Sequence, residues 1–97
     1  MSKLFVIVRK DLTPSQQAVQ AGHALAEYLL HSLNLRWKNQ TLIYLGVKDG
    51  LQLEKVKYKL ENSGINFYEF REPDLNNETT AIASDQECNL FEKLNLL

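Results

Sequence analysis

The side chains able to do chemistry at useful spacing fall in two stretches of this 97-residue chain, TPSQQAVQAGHALAEYLL (Thr13–Leu30) and REPDLNNETT (Arg71–Thr80). At about 100° per residue, Gln16, Gln20, His23 and Glu27 share one stripe of a helix. His23 and Glu27 stand four apart, a spacing at which the carboxylate can orient the imidazole and raise its basicity for general-base work. Gln16 sits at the positive end of the helix dipole, where its amide can donate to an anion or a developing oxyanion. Each has a plainer reading. Gln16 fits a capping box with Thr13, Gln20 and Glu27 fit a solvated face, and His23 fits a ring packed at the edge of the apolar arc. In the second stretch Glu72 and Asp74 flank Pro73, and Thr79 and Thr80 follow closely enough to bring hydroxyls to the same place.

No Gly-rich phosphate loop, HExxH, CxxC or G-x-S-x-G motif is present. Cys88 is the one cysteine; it has no disulfide or ligand partner, and the expectation is no structural metal and a reducing, cytoplasmic setting. The net charge of −1 excludes a general nucleic-acid sponge, yet Arg9, Lys10, Arg36, Lys38 and Lys48 all fall near element ends and allow a local basic patch. No apolar run approaches the roughly 20 residues a membrane span needs, and no secretory signal is expected.

The elements that position these residues read as follows. KLFVIVRK is an apolar, β-branched run typical of a strand covered on both faces. Thr13 as N-cap, Pro14 at the first position and Gln16 in the box open a helix running to about Leu33. Its apolar side is expected along Ala18, Gly22, Leu25, Leu29 and Leu33, flanked by Val19, Ala26 and Leu30. TLIYLGV is a strand. Leu53, Val56 and Leu60 mark a helix whose Lys55 and Lys59 face water, ended by a left-handed Gly64. INFYEFR and TTAIAS are strands around a turn-rich EPDLNNE. DQECNLFEKL is a last helix opened by Ser84 or Asp85, and LNLL docks. The expectation is a single α/β domain over 1–97, a three-layer sandwich on a four-stranded mixed sheet in the order β-α-β-α-β-β-α. Ligands in such sheets sit at strand ends, here at the Arg9–Gln16 and Glu72–Thr80 loops.

FVIVRKDL, QQAVQAGHALAEY, GINFYEFRE, TTAIAS and LFEKLNLL together resemble the second, archaeal and eukaryotic type of peptidyl-tRNA hydrolase. Arg9, Asp11 and Leu12 match the family's Arg-x-Asp-Leu; Ala18, Gln20, His23 and Ala24 match its helix motif. The resemblance implies a metal- and cofactor-independent esterase that frees a peptide from the 3′ ribose of tRNA, and a homodimer. The family's catalytic lysine falls on Gln16, its aspartate on Glu72 or Asp74, its threonine on Thr79 or Thr80. Ser15 and Gln16 replace the Gly-Lys of the helix entry, and EPDLNNE replaces the family's Asp-Ala-Gly-Arg-Thr-Gln. The implied catalytic set is Gln16, Gln20, His23, Glu72, Asp74, Thr79 and Thr80, with Arg9, Lys10 and Lys48 on the RNA. The alternatives are a non-catalytic tRNA- or protein-binding module and an unrelated hydrolase on the same fold.

Overall fold

The computed structural model describes residues 2–97. Strand β1 (Lys3–Arg9) leads to helix α1 (Pro14–His31), strand β2 (Thr41–Val47) and helix α2 (Gly50–Asn62). Strand β3 (Tyr68–Glu72), a 3₁₀ turn (Pro73–Leu75) and strand β4 (Glu78–Ser84) form a hairpin, and a short helix α3 (Asn89–Glu92) precedes strand β5 (Asn95–Leu96). The sheet runs β3-β4-β1-β2-β5, with β1 and β2 parallel and the other pairs antiparallel. No helix among the described residues is long and apolar enough to cross a membrane.

The mixed α/β sheet holds; its expected size and element order do not. LNLL does not merely dock: Leu45 and Gly46 of β2 pair with Leu96 and Asn95, adding a fifth strand. Two residues are too few for any alternation to show in the sequence. The last helix is also shorter than expected. Cys88, rather than Ser84 or Asp85, is its N-cap. Ser84 remains in β4, its hydroxyl donating to Asn66 O at 2.7 Å.

The core lies in two layers. Leu4, Val6 and Val8 of β1 face α1, where they meet Ala21, Ala24, Tyr28, Trp37, Ala81 and Ala83. Phe5 and Ile7 face α2 and α3 with Leu45, Val47, Leu53, Val56, Leu60, Ile82 and Phe91. The strand-like run in β1 thus reflects cover on both faces.

Helix α1 is turned by roughly a third of a turn from the face its leucines suggest. Its buried line is Gln20, Ala21, Ala24 and Tyr28, whereas Ala18, Val19, Gly22, Leu29 and Leu30 are exposed, as is Leu33, which lies past the helix end at His31 rather than in its last turn. Small residues win this choice. Ala21 and Ala24 pack with Ala81 and Ala83 of the sheet, and this close approach leaves no layer for leucines. Tyr28 anchors the far end: its hydroxyl donates to Asp85 at 3.0 Å and accepts the Trp37 N–H at 3.1 Å. Burial pushes its pKa up. Trp37 belongs to the core, its indole N–H donating to Thr41 O at 2.9 Å.

Candidate active site

One irregularity in β4 decides which hydroxyl meets α1. Phe70 of β3 pairs with Ala81, but the next residue, Arg71, pairs with Thr79. Thr80 is the extra residue of a β-bulge, and the alternation of side chains skips a beat there. Ala83 and Ala81 face α1 and Ile82 faces α2. Regular alternation would send Thr80 toward α2 and Thr79 toward α1. The bulge reverses them.

Thr80, fully buried, therefore donates its hydroxyl to Gln20 Oε1 at 2.6 Å. Gln20 Nε2 in turn donates to Glu72 Oε1 at 2.7 Å, and Glu72 Oε2 accepts the Asp74 N–H at 3.4 Å. The relay runs from the sheet through α1 to the hairpin. Gln20 is buried, only 5% exposed, which corrects the expectation of a solvated glutamine. Its amide has one orientation that satisfies both neighbours, so its geometry is fixed.

This relay forms one wall of a cleft of about 290 Å³ lined by Leu12, Gln16, Val19, Gln20, Glu72 and Asp74, among others. The capping box at its mouth is present as read from the sequence. Thr13 Oγ1 accepts the Gln16 N–H at 3.2 Å, and Gln16 Oε1 accepts the Thr13 N–H at 3.0 Å. The cap consumes the oxygen of Gln16 and leaves its Nε2 protons for another acceptor. Leu12, Val19 and Leu75 give the cleft an apolar side. Two carboxylates, two amides and an apolar wall can bind an uncharged group and polarise a carbonyl on it.

His23 is exposed and stacks on Phe70, with ring centroids 4.0 Å apart and planes 7° from parallel. It flanks the cleft without lining it. The expected His23–Glu27 pair does not form; Glu27 lies 3.1 Å from His31 Nε2 instead. Stacking on Phe70 holds the His23 ring, while the ring of His31 is the one that swings along the helix to the carboxylate.

Thr79 lies on the opposite side of the sheet, away from the relay. Its hydroxyl donates to Glu69 Oε2 at 2.6 Å and accepts from the buried Lys57 Nζ at 3.0 Å, which also lies 2.6 Å from Glu69. Burial raises the Glu69 pKa, but the bonds from Lys57 and Thr79 outweigh it and hold the carboxyl below its usual range. Lys57 and Glu69 were not singled out in the sequence, because a lysine on a helix reads as solvated. Alternation along β3 does carry a signal for the relay, since it puts Phe70 and Glu72 on one face.

Arg9, 8% exposed, is committed to the fold. Its Nε and NH2 donate to both oxygens of Asp11 at 3.0 and 2.8 Å, and NH1 donates to Glu78 at 2.9 Å and Thr79 O at 3.4 Å. The Asp11 bonds, opposed by burial and joined by Glu78, raise its pKa, and the same contact depresses that of Asp11. The guanidinium also lies against Gly50, where a Cβ would stand 3.0 Å from its Cζ. Arg9 thus clasps the ends of β1, β4 and α2. Lys10 and Lys48 are exposed and line a separate hollow beyond β2. Among the described residues no three His, Cys, Asp or Glu side chains converge as metal ligands.

A protein-family model described as Peptidyl-tRNA hydrolase PTH2 matches residues 2–87. No curated protein matches the chain.

Proposed function

Because the chain belongs to the peptidyl-tRNA hydrolase PTH2 family, we propose that its cleft hydrolyses the ester joining a peptide to the 3′ ribose of tRNA. The observation that carries this reading is the Thr80–Gln20–Glu72 relay beside an open, part-apolar cleft. Glu72 Oε2 takes a proton from water as the water oxygen attacks the ester carbonyl. The Nε2 protons of Gln16 and Gln20 receive the oxyanion, near the N-terminus of α1. The tetrahedral intermediate then expels the ribose oxygen, which takes the proton back from Glu72, and peptide acid and tRNA are released. Thr80 acts through Gln20 and is a positioning residue. Asp74 orients Glu72 through its N–H. His23 guards the flank on Phe70. Thr79 and Arg9 support the scaffold, and Lys10 and Lys48 meet RNA.

Gln16 in place of the family lysine gives a neutral donor where a cation would stand. That substitution favours a second reading, a module that binds tRNA or a protein without turnover. Release of labelled peptide from peptidyl-tRNA separates the two. Glu72→Gln should slow release by about 10²–10⁴, the usual share of a general base. Gln16→Lys should raise it. No release above the buffer rate from the natural protein, with release created by Gln16→Lys, would establish the binding module instead. Sedimentation of the purified protein tests the homodimer that the family suggests, and imaging of a tagged chain tests the cytoplasmic placement.

A further inference from the structure

The loop that walls the cleft has a second side. Across it lies a hollow of about 440 Å³ lined by Lys10, Lys48, Lys93, Gly46, Gln52 and Asn95, with no carboxylate in its wall. Among the described residues, the ion pairs that involve a lysine or arginine use Lys3, Arg9, Lys57 and Arg71, and none uses these three lysines. A chain of net charge −1 has gathered three uncompensated ammonium groups at one place.

They are held there by structure. Gly46 lies inside β2, where a glycine weakens a strand unless something needs the space. Here a Cβ would meet Lys10 Cδ at 2.6 Å and Cγ at 2.9 Å, with Leu97 at 3.2 Å on the far side. The Lys10 stem thus lies flat in a seat that only glycine leaves open, and its ammonium reaches the hollow. Gly46 pairs with Asn95, and this pairing brings Lys93 to the same rim. The Lys48 N–H donates to Gln52 Oε1, fixing the third corner.

The hollow and the cleft are lined from the same short segment after β1. Lys10 lines one and Leu12 the other, and two residues span at most about 7 Å. Gln17 Nε2 ties that segment to α1 through Leu12 O at 2.7 Å and Lys10 O at 3.4 Å. The hollow on the α2 side is different: Asp49, Glu54 and Glu78 line it with Arg9 and Arg71, so its cations are offset. A polyanion leaving the cleft is repelled on that side and attracted on the other.

We propose that Lys10, Lys48 and Lys93 form a phosphate platform for the backbone of the RNA whose 3′ ester occupies the cleft. This rests on the esterase reading for the source of the phosphates. Anisotropy of fluorescent tRNA with the full chain, titrated between about 50 and 200 mM salt, measures it. Each phosphate contact contributes about 0.7–0.9 to the slope of log K against log salt. Lys10→Gln/Lys48→Gln/Lys93→Gln should therefore reduce the slope by about 2–3. Lys38→Gln/Lys55→Gln/Lys59→Gln, with the same charge change on other surfaces, should not. A 3′-acylaminoacyl-adenosine without backbone phosphates should bind the natural protein with a salt slope near zero. Turnover of peptidyl-tRNA with an unchanged slope in the platform variant overturns this inference and leaves the esterase. A slope lost in that variant with no turnover in the natural protein supports the platform and overturns the esterase. Binding of polyglutamate but not tRNA overturns the platform in favour of an acidic protein partner.

Discussion

The bulge in β4 makes a sharp prediction, because it assigns adjacent threonines to different faces and different jobs. Replacing either hydroxyl by a methyl through Thr→Val keeps volume and shape nearly constant. In Thr80→Val, Gln20 Oε1 loses its donor at a position only 5% exposed. An unsatisfied buried acceptor costs about 1–3 kcal/mol. At roughly 2 kcal/mol the melting midpoint of a domain this size falls by about 8–16 °C. The amide is also free to turn away from Glu72, so peptide release should drop toward the 10²–10³ typical of losing one oxyanion donor. In Thr79→Val the lost bonds are to the charged Glu69 and Lys57. That costs about 1.5–3 kcal/mol of stability and leaves turnover near the natural value. Urea unfolding and labelled peptidyl-tRNA release, run on both variants, provide the test. If Thr79→Val silences the protein while Thr80→Val retains its turnover, the face assignment is reversed and the reasoning from the bulge is wrong.

Four further outcomes follow from the packing and the ion pairs. Lys57→Met removes the buried partner of Glu69 and leaves it Thr79 and the half-exposed Arg71, so it should cost about 1–3 kcal/mol, while Lys57→Met/Glu69→Leu should recover much of that in urea titrations. Asp11 and Glu69 have folded pKa values below their unfolded ones. Their stabilisation is present above an unfolded pKa of about 4 and is lost as pH falls through the folded values. The urea midpoint should accordingly decline on acidification below about pH 5, less steeply in Asp11→Asn/Glu69→Gln. Leu30→Gln, on the exposed face of α1, and Leu33→Gln, exposed just past its end, should change stability by less than about 0.5 kcal/mol. Ala24→Leu, against the sheet, should overpack and cost about 1–3 kcal/mol.

What was legible in the sequence is what neighbouring residues decide among themselves. The Thr13–Gln16 box, the Leu53–Val56–Leu60 face of α2 and the left-handed Gly64 depend on contacts within a turn or two, and all are found. The apolar run of β1 announced a strand covered twice. The orientation of α1 is not legible, because its leucines outweigh two alanines in any hydropathy pattern, whereas close approach to Ala81 and Ala83 settles the packing. Thr79 and Thr80 stayed interchangeable for a related reason. A bulge is a fact about two strands, and nothing in TTAIAS alone states where β3 loses register. Gln20 read as solvated because its partners, Glu72 and Thr80, lie 52 and 60 residues away. One member of the helix stripe, Gln20, does meet the hairpin, bonding Glu72, because β4 lies beside β1.

The two-residue β5 has a role beyond shaping the lysine rim. Asn95 and Leu96 lie along the outer flank of β2, and the Leu97 N–H reaches Tyr44 O at 3.0 Å. They occupy amide and carbonyl groups that an uncovered flank would offer to any passing extended chain. Stripped of Asn95–Leu97, the Tyr44–Gly46 stretch would present its backbone groups bare. A segment that adds little to the core thereby shortens the length of edge open to strand addition.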